Sequence, residues 1–264
     1  MILYNKPYLT GKEFSYIREA IESRKLSGDG PFTKRSSAIL ESIYESKVLL
    51  TTSCTDALEM SALLLDIEPG DEVIIPSYTF VSTALAFVMR GAKIIFADSE
   101  PDRPHIDPIA VASLINSRTK AIVPVHYAGI PCKIDKLTCM GVPIIEDNAQ
   151  GLCSSFYGIP LGSFGDISCL SFHDSKNIGC GEGGAIIIND SELAHRAEII
   201  REKGTNRSSF FRGEINKYGW VDLGSSYLPS ELNAAFLLAQ LEQKDIITSK
   251  RLVVFNKYLY ELEC

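Results

Sequence analysis

The chain has 264 residues, 45% of them hydrophobic and 22% charged, average values for a globular protein with a sizeable core. Its 26 basic and 33 acidic residues leave a formal charge of −7, which argues against a nucleic-acid partner. No apolar run approaches the roughly 18–20 residues of a membrane helix, and residues 1–10, with Asn5, Lys6 and Pro7, lack the apolar stretch of a secretory signal, so a cytoplasmic protein with no membrane partner is expected.

Phe14, Ile17 and Ile21 recur at helical spacing and predict a helix over 11–24. Ile39, Leu40 and Ile43 mark a second helix, 48–52 a strand and 55–65 a helix. After the turn Pro69-Gly70-Asp71 come a strand at 72–76, a helix at 83–89 closed by Gly91, and a strand at 93–97. Asp107-Pro108 sets an N-cap before proline at the first helical position, opening a helix to about Asn116. Strands are expected at 120–125, 142–145, 167–172 and 185–188, and helices at 192–202, 232–242 and 252–262. The strands read as continuous apolar runs, the mark of a parallel sheet covered by helices on both faces. A glycine-dense loop without a helix joins the last two strands, which leaves room there for an antiparallel one.

Seven cysteines (Cys54, Cys132, Cys139, Cys153, Cys169, Cys180, Cys264) make an odd number with no CxxC pair, so reduced thiols are expected. Four scattered histidines (His105, His126, His173, His195) add no ligand cluster, so no metal site is expected.

In open α/β sheets ligands bind at the carboxyl ends of the strands. Four groups fall at such ends. Ser53-Cys54-Thr55 offers hydroxyl and N–H donors at a helix start, an anion cradle or an ordinary N-cap. Phe80 follows the strand 72–76 and is either a stacking face or core. Glu146-Asp147 follows Ile144-Ile145, and a carboxylate emerging there needs a cationic partner unless it caps a helix. Lys176 follows the strand 167–172 and precedes the loop Gly179-Cys180-Gly181-Glu182-Gly183-Gly184. Alone it reads as a surface lysine; in a desolvated site it becomes a nucleophilic amine. Together the four match the needs of pyridoxal 5′-phosphate: donors for the phosphate, a face for the ring, a carboxylate for the pyridine nitrogen and an amine for the aldehyde.

The segments 28–30 (Gly28-Asp29-Gly30), 50–58, 76–83, 123–129 (VPVHYAG), 145–150, 171–184 and 201–207 (REKGTNR) resemble, in order and spacing, the DegT/StrS-type nucleotide-sugar aminotransferases, a branch of the fold-type-I pyridoxal-phosphate enzymes. The resemblance runs over nearly all of the chain. It implies an α/β three-layer sandwich with a mainly parallel sheet, an aspartate-aminotransferase-like large domain over 1–240, and at 241–264 the start of a small C-terminal domain that is largely missing. It further implies that Lys176 holds the cofactor, Asp147 pairs with the pyridine nitrogen, Gln150 lies near the 3-hydroxyl and Phe80 stacks on the ring. Cys54, Thr55 and Ser171 would bind the phosphate; His126, Tyr127, Asp29 and Arg207 are substrate-site candidates. The implied reaction moves an amino group from L-glutamate to C4 of a nucleotide-linked 4-keto-6-deoxy sugar for surface polysaccharide, in homodimers that share active sites.

The sequence departs from the pattern at Leu228, where many members carry an asparagine that reaches the partner subunit's phosphate. The segment 135–144 is also short for a crossover between parallel strands. Two alternatives stand beside the leading one. A pyridoxamine-dependent sugar dehydratase would carry histidine in place of Lys176. A truncated, inactive member would act only as a folded dimerisation module.

Overall fold

The computed structural model describes residues 5–262; Cys264 lies outside the described residues. In chain order, α1 (Glu13–Glu22) and α2 (Pro31–Tyr44) lead to β1 (Lys47–Thr51) and α3 (Cys54–Leu64). Then follow β2 (Glu72–Pro76), α4 (Ser82–Val88), β3 (Lys93–Ala97), α5 (Pro108–Leu114), β4 (Thr119–Ile122) and the single turn α6 (Ile134–Leu137). β5 (Ile145–Asp147), the hairpin β6 (Ser155–Phe156) and β7 (Ile159–Pro160), β8 (Ile167–Ser171) and β9 (Gly184–Ile188) complete the strands. The chain ends on α7 (Ala194–Arg201), α8 (Arg207–Phe211), α9 (Glu231–Leu241) and α10 (Lys244–Leu262).

One ladder runs β3-β2-β4 and a second runs β5-β8-β9-β1. Bridges Ile122↔Ile144 and Val125↔Asp147 join them. β9 is antiparallel to both neighbours, and the other pairings are parallel. Alternate strand residues face two cores. In β2, Val73 and Ile75 pack with α3, α4 and α7, whereas Ile74 between them faces α5 and α6. Val48, Leu50, Ala185 and Ile187 face α1, α2 and α9. The three layers expected from the sequence are therefore present.

Caps start the helices where the sequence places them. Asp107 accepts from Ile109 N above Pro108, and Ser53 accepts from Asp56 N. α2 opens on Gly30, which has no capping side chain. The fully buried Glu231, in the first turn of α9, supplies the acceptor instead. It receives the N–H groups of Gly30 (3.1 Å), Phe32 (2.8 Å) and Thr33 (3.0 Å) and the Thr33 hydroxyl. A carboxylate at two helix N-termini is favoured by both dipoles. Glu231→Ala leaves three buried N–H groups without an acceptor and is expected to cost about 3 kcal/mol or more, read as a fall in the urea midpoint.

Three expectations need correction. β5 begins at Ile145, not at 142, so Glu146 and Asp147 lie inside the strand rather than after it. Ile144 N donates to Asp166 Oδ2 at 2.7 Å, a side-chain acceptor that ends the ladder early. The last helix begins at Lys244, well before 252. The β6–β7 hairpin carries no apolar run and is absent from the sequence reading. The short crossover is real: α6 is four residues, followed by a 3-10 turn over Thr138–Met140. The six described cysteines are free. Among the described residues no helix is long and apolar enough to cross a membrane.

Candidate active site

The carboxyl ends of β1, β2, β5 and β8 converge on a cavity of about 560 Å³. Cys54, Thr55, Phe80, Asp147, Gln150, Ser171, Lys176 and Tyr127 all line it. An adjoining recess of about 280 Å³ shares Tyr127, Gln150, Ser171 and Lys176.

The N-terminus of α3 forms one end. Ser53 caps the helix through Asp56 N, so the N–H groups of Cys54 and Thr55, in the first turn, have no intrahelical acceptor. The helix dipole favours an anion there. Gly184 of β9 permits this packing, because a Cβ on it would lie 2.3 Å from Ser53 C and 2.4 Å from Cys54 N. Burial, with the Asp147 carboxylate second, holds the Cys54 thiol well above its ordinary pKa, which makes it a neutral packing group rather than a nucleophile.

Asp147 is 5% exposed. Thr83 Oγ1 donates to its Oδ2 at 2.7 Å, and Ala149 N donates to its Oδ1 at 3.2 Å. Burial raises its pKa more than those hydrogen bonds and the Lys176 charge lower it. A buried carboxylate in that balance has room for a cationic partner from a ligand. Lys176 is half-buried; its backbone is fixed by its own N–H to His173 O (2.9 Å) and by Arg251 Nη2 donating to its carbonyl (3.3 Å). Phe80 is 73% exposed, so its ring is free to cover a flat ligand. Gln150 Oε1 accepts from Ala128 N at 2.8 Å, which leaves its amide N–H groups for the cavity. Tyr127 packs on Tyr78 with ring centroids 4.8 Å apart.

The phosphate donors, ring face, carboxylate and amine needed by pyridoxal phosphate thus surround one space, and the residues fit the group. Three substrate candidates do not line this cavity. His126 is fully buried, with Nε2 on Glu146 Oε2 at 2.7 Å. Asp29, at φ 61°, takes Arg201 Nη2 at 2.6 Å. Arg207 donates to Glu202 at 2.8 Å and lies over the Phe211 ring. Each has its partner in the fold. Thr83 and Glu182 are lining or orienting residues that the sequence reading did not single out, and His173, named there only among the scattered histidines, also lines the cavity. The hydroxyl of Thr83 at the start of a helix after β2 is the one signal that was available.

Comparison with known proteins shows the family. A model of the DegT/DnrJ/EryC1/StrS aminotransferase family matches residues 7–263. GDP-perosamine synthase of Escherichia coli O157:H7 is 32% identical over 259 residues, 96% of this chain and 69% of that protein. The PMP form of the sugar aminotransferase Spr1654 from Streptococcus pneumoniae superposes with a TM-score of 0.91 at 25% identity, covering 98% of this chain and 71% of its own. S. venezuelae DesV, solved with a ketimine intermediate, gives 0.86 at 31% identity, covering 96% and 67%. The chain belongs to the DegT/DnrJ/EryC1/StrS aminotransferase family, whose chemistry is pyridoxal-phosphate-dependent transamination.

Proposed function

We propose that this chain moves an amino group from L-glutamate to C4 of a 4-keto-6-deoxy sugar linked to a nucleotide, thymidine diphosphate in the first instance. The observation that carries the reading is the placement of Lys176 and Asp147 on the wall of one cavity, with the free N–H groups of α3 on the same wall. A sugar substrate is supported by the names of the relatives, among them a perosamine synthase and a sugar aminotransferase.

Pyridoxal phosphate, when bound, supplies the electron sink for the carbanion formed at the substrate carbon. The chain does the rest. Cys54 N, Thr55 N and Ser171 Oγ would bind the phosphate; the Thr55 hydroxyl donates to Ser82 Oγ at 2.8 Å. Phe80 covers one ring face, and Gln150 donates near the 3-hydroxyl. Asp147 Oδ would hold a proton on the pyridine nitrogen, and Thr83 and Ala149 N keep the carboxylate oriented. Lys176 Nζ would hold the cofactor and would move the proton between the substrate Cα and C4′. Tyr127 remains the substrate-side candidate. Residues 1–240 form the cofactor-binding body in this reading, a second copy completes the site, and 241–264 begin a further domain. The presence of Lys176 disfavours the dehydratase alternative, which needs histidine there.

The test is visible absorption. Pyridoxal phosphate is expected to give a band with the protein, glutamate to bleach it with release of 2-oxoglutarate, and a thymidine-linked 4-keto-6-deoxy sugar to restore it. Restoration by a guanosine-linked sugar alone would move the nucleotide assignment. No band would favour the inactive dimerisation module.

A further inference from the structure

Asp147 sits where the sheet is least knitted. The two ladders meet at the bridges Ile122↔Ile144 and Val125↔Asp147. β5 has three residues, and the crossover that delivers it holds a single α turn. Backbone pairing on the β4 side of Asp147 is therefore confined to isolated bridges rather than a continuous ladder.

A side-chain contact spans this seam. His126 Nε2 donates to Glu146 Oε2 at 2.7 Å, and both side chains are fully buried. Cys132 N donates to His126 Nδ1 at 3.4 Å, which leaves the ring proton on Nε2 and ties the crossover to the same ring. The remaining capacity of Glu146 is filled by Gly162 N (3.0 Å), Phe164 N (2.8 Å) and Gly165 N (2.7 Å). The backbones interlock as well: His126 N donates to Asp147 O at 3.1 Å, and Asp147 N to Pro124 O at 2.9 Å. Successive strand residues point to opposite faces, so Glu146 is anchored away from the cavity while its neighbour Asp147 faces it. On the other side of the seam, His126 precedes Tyr127, which also lines the cavity.

We infer that the His126–Glu146 pair is a positioning device for the active site, fixing Asp147 and Tyr127 relative to each other across a seam whose backbone pairing is confined to isolated bridges. The inference rests on Asp147 meeting the cofactor nitrogen. An apolar pair would fill the space at lower desolvation cost, but it would not set a direction. Four donors converging on one carboxylate set it in three dimensions. Without the His126 donor, a buried lone pair is unsatisfied and the seam relaxes, carrying Asp147 with it.

The test compares His126→Leu, His126→Gln and His126→Asn with the parent and with Asp147→Asn. Pyridoxal phosphate is the probe, and the readouts are its dissociation constant and the wavelength of its bound band. Gln keeps a donor where His126 has Nε2, whereas Asn is too short to reach Glu146. His126→Leu and His126→Asn are expected to weaken cofactor binding at least tenfold and shift the band, and His126→Gln to stay within about threefold of the parent. Equal binding and an unchanged band in Gln and Asn overturn the inference, and that pair decides even where His126→Leu does not fold. A general loss of stability lowers the melting temperature without separating Gln from Asn in affinity. If Asp147→Asn itself binds and absorbs like the parent, the reading of Asp147 fails instead.

Discussion

Lys176→Ala is expected to abolish the visible band that pyridoxal phosphate gives with the parent and to cut amino transfer by about 10²–10⁴-fold or more, the usual worth of a positioned acid–base group. In the proposed mechanism the amine has two tasks, attachment and proton movement, and alanine performs neither. The fold is expected to tolerate the change. Lys176 is half-buried, and its backbone is held by His173 O and Arg251 independently of the side chain. A surface-type change of this kind shifts stability by roughly 0.5 kcal/mol or less. Lys176→Arg sharpens the test, because a guanidinium keeps the charge but not a nucleophilic lone pair. It too is expected to give no band. A band surviving in either variant would show that another amine carries the cofactor.

The parts of the fold legible in the sequence are those where local pattern and tertiary role agree. β2 and β3 fall where their apolar runs place them: β2 is buried along its whole length, and the edge strand β3 pairs with it residue for residue. β5 is different. Its apolar signal begins at 142, yet the continuous strand begins at Ile145, with only the isolated bridge Ile122↔Ile144 before it, and Asp166 captures the Ile144 N–H from 22 residues away. Two acidic residues inside a buried strand also contradict its polarity pattern. They are tolerated because Glu146 has four donors, three of them from a loop that no local signal links to it.

The site shows the same division. Cys54, Thr55, Phe80, Asp147, Gln150, Ser171 and Lys176 come together because each lies at or just beyond a strand end, and those ends share an edge. His126, Asp29 and Arg207 carry chemistry-bearing side chains at suitable places in the sequence, but their orientation is set by partners in the fold. Asp29 is paired to Arg201 across 172 residues. His126 and Tyr127 are adjacent, yet one is buried behind the sheet and the other lines the cavity. Beyond the end of β4 the alternation has no phase that sequence alone defines, and Ala128 at φ 57° breaks it further.

Asp147→Asn is expected to trade stability against function in opposite directions. In the cofactor-free parent, burial raises the Asp147 pKa above its unfolded value. The sign then follows from proton linkage. The folded state binds the carboxyl proton more tightly, so its contribution is present at low pH and is lost as pH rises through the raised value. Asparagine carries no such ionisation. It also fits the hydrogen bonds. Oδ1 can accept from Ala149 N, and Nδ2 can donate to Thr83 Oγ1 once that hydroxyl turns to Thr79 Oγ1, 2.7 Å away. The cofactor-free variant is therefore expected to melt above the cofactor-free parent at neutral pH, with the gap closing as the pH is lowered. With pyridoxal phosphate the order is expected to reverse, because in the proposed site the pyridine nitrogen would lose the charge that keeps it protonated. Amino transfer is expected to fall about 10²–10³-fold, as when one preorganised electrostatic partner is removed from an active site. Melting curves against pH, with and without the cofactor, check both halves. Parallel curves at every pH would show that Asp147 ionises without cost in the fold, and unchanged turnover would remove it from the cofactor nitrogen.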